Sequence, residues 1–247
     1  MKEKSLAQGN IHIGTSGWYY DHWIGRFYPE NIKKQTLFQY YQQYFNTVEL
    51  NNTFYRLPKK ESTQKWAEQA GDSFIFSIKA SRYITHIKKL KDPDLSCQRF
   101  FQAIEPLGEY QGPILFQLPP GWSCNRQRLE KFLQNLPPNY QYVFEFRNES
   151  WWNNEIYQIL EDYQATFCIF DLSSRQTPII TTNRIVYIRL HGPQNAYQGC
   201  YSQKDLEKWY DKIKLWREKK KEIFCYFDND QNAFAAHNAW QLKAMTL

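Results

Sequence analysis

The feature that most constrains this fold is the regular return of short apolar runs along the chain. Each run has the length of a β-strand and is rich in β-branched or aromatic residues. The eight runs are 11–14, 47–51, 74–79, 114–118, 142–146, 166–171, 185–190 and 223–228. Most are followed by a segment with helical spacing. Parallel strands need such crossover helices, so the alternation predicts an α/β fold, a (β/α)₈ TIM-like barrel of parallel strands.

The helical segments show apolar stripes and stop signals. We predict helices over 94–110, 126–136 and 153–163, and a further helix behind the capping pattern Ser202-x-x-Asp205. The stretch 172–183 after the sixth run lacks a convincing helix, so one crossover is expected to be irregular. We interpret 1–247 as a single domain. A doubly wound open sheet is the alternative architecture.

The composition limits the cellular location that we predict for the protein. No apolar stretch approaches the ~18 residues that cross a bilayer, and residues 1–10 are polar without a secretory segment. The five cysteines are scattered and form no CxxC pair, which argues against a disulfide framework and a zinc knuckle. We therefore expect a cytoplasmic protein without a membrane partner. Its oligomeric state is left open.

Charged and amide side chains stand at the ends of the apolar runs. The barrel interior near the carboxyl ends of the strands opens on the mouth, where a charge costs far less than against the helix layer. We therefore expect these side chains to meet there. They are Glu49, Asn51, Asn52, Lys79, Gln117, Glu145, Arg147, Asp171, Arg189, His191, Asp228 and Asn229.

Several chemistries are consistent with this collection. We predict Glu145, Glu49 and His191 as catalytic groups, with either glutamate as general base and the histidine as acid or ligand. The predicted substrate contacts are Lys79, Arg82, Arg147, Arg189, Asn51, Asn52, Gln117, Ser16 and Trp18. A buried ion network with a purely structural role is the alternative, because such networks also close barrels.

Three narrower interpretations remain open. A divalent metal as cofactor has candidate ligands in Glu145, Asp171, His191 and Asp228, although no HxH or HExxH motif is present. A glycosidase or sugar isomerase is a further alternative, with Glu49 and Glu145 as a carboxyl pair. A Schiff-base lysine requires that Lys79 be desolvated or beside another cation.

A basic segment and many aromatic residues point to the class of partner. The segment 79–91 is rich in Lys, Arg and His, and aromatic residues make up 18% of the chain. Gly14 to Trp18, a run of glycines and hydroxyl residues, supplies backbone donors suited to an anion. Stacking surfaces beside cations suit a small phosphorylated ligand or nucleic acid. We expect either a hydrolase for such a ligand or a non-catalytic nucleic-acid-binding module.

The same residues spell out a family resemblance that spans nearly the whole chain. Its motifs are GTSGW at 14–18, NTVELNNTFYRLP at 46–58, KASR at 79–82, LFQLPP at 115–120, FEFR at 144–147, RLHG at 189–192 and Y-x-G-x-Y at 197–201. The chain resembles the YecE-like family, domain of unknown function family 72. The resemblance implies a (β/α)₈-like barrel and no established activity.

The resemblance also carries a suggested similarity to metal-dependent apurinic endonucleases and sugar isomerases, which is an analogy at the level of the fold. This chain lacks the histidine-rich ligand set of those enzymes. It also has Asp228 where the family pattern leads us to expect Asn.

Overall fold

Eight parallel strands form a nearly closed barrel in the computed structural model, which describes residues 9–173 and 175–247. The strands are β1 Ile11–Thr15, β2 Thr47–Leu50, β3 Ile75–Lys79, β4 Gln111–Leu118, β5 Tyr142–Phe146, β6 Thr166–Leu172, β8 Ile185–Leu190 and β9 Glu222–Phe227, while β7 Arg175–Gln176 lies outside the barrel. Their hydrogen-bonded order is β1-β9-β8-β6-β5-β4-β3-β2. The predicted barrel is confirmed, and the open-sheet alternative is excluded.

Helices cover the outside of the barrel. They are α1 Leu37–Gln42, α2 Asn52–Tyr55, α3 Lys60–Gln69, α4 Pro93–Ile104, α5 Arg126–Gln134, α6 Asn154–Asp162, α7 Gln203–Glu218 and α8 Phe234–Met245. The basic segment 79–91, predicted as a loop, contains a short π-helix at Tyr83–Ile87. Ser202 caps α7 as its sequence pattern predicts, since its Oγ accepts a hydrogen bond from the Asp205 amide at 3.2 Å. No helix among 9–173 and 175–247 has the length and apolar character to span a membrane.

The barrel closes between β1 and β2 through few contacts. The Gly17 amide donates to the Glu49 carbonyl at 2.8 Å, and Ser16 and Glu49 form an isolated parallel bridge. The Tyr41 hydroxyl accepts from the Thr15 amide and donates to the Thr47 carbonyl, both at 3.0 Å. Gly14 permits this approach, since a Cβ there would lie 2.3 Å from the Thr47 carbonyl oxygen. This seam brings Ser16 against Glu49.

The interior of the barrel changes from apolar to charged toward the mouth. The interior positions of β8 are Ile185, Tyr187 and Arg189 in succession, because side chains alternate along a strand. The apolar part of the interior contains Leu115, Val143, Cys168, Ile185, Tyr187, Phe224 and Tyr226. Above it, the Tyr226 hydroxyl bonds to Thr47 and Ser77. The charged side chains lie in the layer above these hydroxyls.

The crossover after β6 is irregular, as predicted. Strand β7 pairs antiparallel with β6, and no helix forms among the described residues between β6 and β8. Thr177 and Thr182 instead bond to β6: their hydroxyls accept from the Phe170 and Phe167 amides at 3.1 and 2.9 Å. The prediction that residues 1–10 hold no secretory segment falls largely outside the described residues.

Candidate functional site

Arg189 is the centre of a buried charge network at the mouth of the barrel. Its Nε donates to both carboxylate oxygens of Glu49, at 2.7 and 2.8 Å. Its Nη1 donates to Oε2 of Glu145 at 2.8 Å, and its Nη2 donates to Oδ2 of Asp228 at 3.3 Å. Arg189, Glu49 and Glu145 are fully buried. One guanidinium therefore binds three carboxylates from three different strand ends.

Arg147 extends the network toward solvent. Its Nε donates to Oε1 of Glu145, and its Nη2 lies 2.8 Å from Nε2 of His191. The guanidinium packs over the ring of Phe170, 4.7 Å from the ring centroid. Its Nη1 forms no hydrogen bond with any of the described residues. Arg147 thus keeps its Nη1 amino group for a ligand, whereas all three nitrogens of Arg189 are hydrogen-bonded to protein.

The hydrogen-bond partners of His191 decide which of its ring nitrogens donates. Its Nε2 faces two guanidinium groups, Arg147 at 2.8 Å and Arg189 at 3.3 Å, which are both donors. Nε2 must then accept, so the ring proton lies on Nδ1 and is donated to Oδ2 of Asp228 at 2.9 Å. The Nδ1 hydrogen bond orients Asp228. The role of His191 as acid or ligand stays a prediction.

The buried carboxyl groups differ in acidity. Burial raises the pKa of Glu49, and the charge of Arg189 does not compensate fully. Burial acts in the same sense on Glu145, but Arg147 and Arg189 outweigh it and hold the pKa of Glu145 well below its usual range. The pKa of Asp228 is lowered as well, because the His191 hydrogen bond and Arg189 outweigh burial. Of the two glutamates, Glu49 is the better general base.

Lys79 faces the same mouth without a partner. Its Nζ lies 4.4 Å above the centroid of the Phe54 ring and forms no hydrogen bond or ion pair within 4 Å among the described residues. Burial, followed by the positive charge of Arg189, lowers the pKa of Lys79 from 10.5 to about 8. Burial and the charges of Lys79 and Arg82 lower the pKa of His86 to about 4. The end of β3 is therefore a region of positive potential.

An aromatic pocket opens at the carboxyl ends of β1 and β2 and reaches Trp66 of α3. It has a volume of about 440 Å³. Its lining is mostly apolar and comprises Gly17, Trp18, Tyr19, Tyr20, Leu50, Asn51, Asn52, Tyr55 and Trp66. Tyr19 and Tyr55 are 56% and 80% exposed, so their ring faces are free to stack. A pocket of this size suits a planar ring system with a substituent.

One polar atom in this pocket has no partner. Oδ1 of Asn51 is buried and accepts no hydrogen bond in the described structure. A buried carbonyl oxygen without a donor costs about 1–3 kcal/mol, so a ligand donor would gain affinity once rotation of the Asn51 side chain exposes Oδ1 to the pocket. Asn51 was predicted as a substrate contact, and its position is consistent with that role.

The remaining predicted site residues have different surroundings. The Ser16 hydroxyl donates to Glu49 at 3.3 and 3.4 Å, and the Gln117 amide donates to the Leu118 carbonyl at 3.0 Å. Trp18 packs edge-on against Trp66 in the pocket wall, with 5.8 Å between ring centroids. Arg82 is exposed on the π-helical turn, outside the network.

Asp171 is separated from the network. Its neighbour Phe170 packs under Arg147, so alternation along β6 turns Asp171 to the opposite face. There it interacts with Tyr201, and burial raises its pKa to about 6. The expectation that Asp171 meets the other strand-end charges at the mouth is corrected.

The donor atoms do not fit a divalent metal. The carboxylate oxygens of Glu145 and Nε2 of His191 already face guanidinium groups, whose charge would repel a cation. No group of three or more His, Cys, Asp or Glu side chains in the described chain forms a metal-binding cluster. Of the four predicted metal ligands, Glu145, His191 and Asp228 lie together in the network, whereas Asp171 faces away from it.

The structure adds residues that the sequence did not single out for the site. Trp66 comes from α3, where it reads as an ordinary apolar helix position. Tyr197 packs edge-on against His191, 5.5 Å between ring centroids, and belongs to the Tyr197-x-Gly199-x-Tyr201 motif. The Phe170 ring packs against the Arg147 guanidinium. Only Tyr197 had a sequence signal, which was its place in that motif.

Comparison with known proteins assigns the family. A family model described as "Protein of unknown function DUF72" matches residues 12–247. The chain belongs to this DUF72 family. UPF0759 protein YunF of Bacillus subtilis (strain 168) is 25% identical over 265 residues, which cover 94% of this chain and 93% of YunF. UPF0759 protein YecE of Escherichia coli (strain K12) is 32% identical over 139 residues, 56% of this chain and 48% of YecE. The resemblance to the YecE-like family is confirmed.

Solved structures of DUF72 proteins have the same barrel. The crystal structure of a DUF72 family protein from Thermotoga maritima MSB8 aligns with a TM-score of 0.87 at 30% identity, covering 96% of this chain and 99% of that one. A DUF72 family protein from Enterococcus faecalis V583 aligns with a TM-score of 0.79 at 19% identity, covering 95% and 94%. The second likeness concerns the fold alone. The names of these DUF72 relatives state no reaction.

Proposed function

We propose that this protein is an enzyme that binds a phosphorylated or nucleic-acid-derived ligand at the mouth of its barrel and hydrolyses it. The proposal rests mainly on the aromatic pocket at the carboxyl ends of β1 and β2, whose lining residue Asn51 has an unpartnered oxygen. A planar base with an exocyclic amino group would fill the pocket, stack on Tyr19 or Tyr55, and donate to Asn51. The five free cysteines support a reducing, cytoplasmic setting.

The charged mouth supplies the contacts for the anionic part of such a ligand. Arg147 offers its free Nη1, and Arg82 adds a permanent charge on the adjacent turn. Arg189 contributes indirectly, because its donors are taken by carboxylates and fix their positions. Glu49, whose pKa is raised by burial, is the candidate general base for an attacking water.

A binding measurement tests the proposal. We expect the protein to bind adenosine 5′-monophosphate more tightly than either adenosine or inorganic phosphate in isothermal titration calorimetry. Asn51→Leu removes the acceptor at nearly constant volume, and Arg147→Met removes the anion donor. Each should weaken binding about tenfold or more, the usual effect of losing a hydrogen bond to a buried or charged group.

The control is Arg184→Met, which removes an exposed arginine at the start of β8, at the opposite end of the barrel. It should bind like the wild type. Circular dichroism would show whether each variant keeps its fold, and Arg147→Lys, which retains a charge, should recover part of the affinity. Unchanged affinity in folded Asn51→Leu and Arg147→Met would contradict the proposal, as would phosphate release that is no faster with the protein than without it.

A non-catalytic nucleic-acid-binding module is the second candidate. It is favoured by Tyr83, which is 46% exposed and carries Lys88 5.9 Å from its ring centroid. Under this alternative, a single-stranded oligonucleotide binds with a steep salt dependence, and replacing Lys88, Lys89 and Lys91 by alanine flattens it. Mononucleotide binding in the pocket that is insensitive to these three substitutions would favour the enzyme.

A further inference from the structure

Lys79 has the surroundings of a reactive amine rather than of a structural cation. It ends β3 on the interior face that it shares with Ser77, below the mouth of the barrel. Its Nζ lies over the Phe54 ring and has no hydrogen-bond or ion-pair partner in the described structure. Lys79 is half-buried, and an ammonium group in such a partly desolvated site is normally paired, because an unpaired charge there is costly.

Lys79 has no carboxylate partner because Arg189 binds the carboxylates nearby. Three carboxylates lie in the same layer, and each is bound by the Arg189 guanidinium instead. Burial and the nearby Arg189 cation favour the uncharged amine, and they outweigh the Glu145, Asp228 and Glu49 carboxylates, which favour the charged form. A lysine that is desolvated and beside a second cation is the standard arrangement for an amine nucleophile at neutral pH.

We propose that the Lys79 amine forms an imine with an aldehyde or ketone group of a ligand bound at the mouth of the barrel. This rests on the proposed function in one respect, that the ligand is phosphorylated and Arg147 holds its anionic group. It adds a covalent activity and a ligand class, a phosphorylated carbonyl compound.

Imine formation at Lys79 needs no oxidant or reductant. The Nζ lone pair forms a bond to the carbonyl carbon, and the π electrons of the carbonyl move to its oxygen. A proton passes from nitrogen to that oxygen, which gives a carbinolamine. The hydroxyl group then takes up a second proton and leaves as water, while the nitrogen lone pair forms the C=N bond. The net change is one water released and one proton taken up in the protonated imine.

Two neighbours would assist this reaction. Glu49 lies in the same layer with a raised pKa, and its carboxyl group is a candidate donor of the proton that removes water. Phe54 covers one side of the amine, so a ligand carbonyl would approach from the other side. Both features act on the amine and not on the phosphate contact.

Reductive trapping tests the imine. The full chain is treated with pyridoxal 5′-phosphate and sodium cyanoborohydride at pH 7.5, where hydride adds to the imine carbon and leaves a stable secondary amine. The modified lysines are then quantified by peptide mass spectrometry over time. Lys88, Lys89 and Lys212 serve as internal controls in the same digest. An amine with a pKa near 8 is uncharged about 200 times more often at this pH than an ordinary lysine, so we expect Lys79 to react at least about tenfold faster.

Two further measurements separate the possible failures. Pyridoxal without the phosphate group should also label Lys79 selectively but more slowly, and Arg147→Met should remove the advantage of the phosphorylated reagent. If both reagents label Lys79 faster than the control lysines and at equal rates, the result would support the imine and contradict the anion contact. Labelling of Lys79 at or below the rate of the control lysines, with either reagent, would overturn the imine. Lys79→Arg should abolish the fast phase.

Discussion

Arg189 decides, at the scale of single residues, which charges at the barrel mouth are free. A guanidinium presents five N–H donors in a rigid plane, so it binds Glu49, Glu145 and Asp228 at once. A lysine at this position would have three donors on a flexible stem and would not hold the three strand ends in one geometry. The consequence is that Lys79 stays without a carboxylate partner.

The stability of a Lys79→Met variant reports this unpaired charge. At pH 7 we expect the variant to be more stable than the wild type by about 1–3 kcal/mol, because it removes a buried ammonium and keeps the chain volume. The pKa of Lys79 is lowered to about 8 in the folded protein, so the folded state releases the proton at lower pH than the unfolded state does. Wild-type stability therefore rises between pH 8 and 10.5, and the difference between the two proteins shrinks.

Urea unfolding at pH 7.0, 8.5 and 10.0 measures this effect, with Lys204→Met on the exposed face of α7 as the control. A Lys79→Met protein that is less stable than the wild type at pH 7 would mean that the ammonium is paired in solution.

Local signals at element ends are strong enough to act without tertiary help. The N-cap of α7 is an example, since the Ser202 hydroxyl accepts from the Asp205 amide and donates to the Asp205 carboxylate at 2.6 Å. Both groups lie within four residues of one another. The turn after β3 differs, because its π-helix closes one residue wider than an α-turn and its N-cap residue Arg82 forms no capping hydrogen bond.

Removal of the cap should weaken α7. We expect Ser202→Ala to lower the free energy of unfolding by about 1 kcal/mol, because an amide at the helix start loses its acceptor. The urea midpoint should fall while the slope of the transition stays constant. Ser123→Ala, in an exposed loop, should leave the midpoint unchanged. Equal midpoints for both variants would show that the Ser202 cap contributes nothing.

The network couples the stability of the whole molecule to pH. Glu145 and Asp228 have lowered pKa values in the folded state, so the stability that they contribute is present above their ordinary values and is lost as the pH falls through the folded ones. Glu49 has a raised pKa and acts in the opposite sense, favouring the folded state in acid. Since two groups oppose one, we expect a net loss of stability below about pH 4.5.

Thermal unfolding between pH 3 and 7 checks this expectation. Glu145→Gln should show a shallower loss of melting temperature in acid than the wild type, because it has no proton to take up at that position. Glu161→Gln, which removes an exposed carboxylate of α6, is the matched control and should follow the wild type. Parallel curves for all three proteins would exclude the network as the source of acid sensitivity.

Much of the site was predictable because strand periodicity is local. Glu49, Glu145, Arg189 and Asp228 each end an apolar run, and parallel strands bring such ends together at one edge of a barrel. Asp171 also ends a run but lies on the opposite face, because the sequence does not fix which of two alternating faces a strand turns inward.

The sequence by itself therefore determined the eight parallel strands of the barrel, the irregular crossover after β6, the family, and most members of the charged mouth. These depend on short-range patterns of polarity and turn residues. Only the tertiary structure decided which charges pair, that Lys79 stays unpaired, and that Trp66 of α3 meets Trp18 in one pocket. Those outcomes depend on distances between side chains far apart in the chain, and a hydrogen-bond geometry between two strands is not encoded in either strand alone.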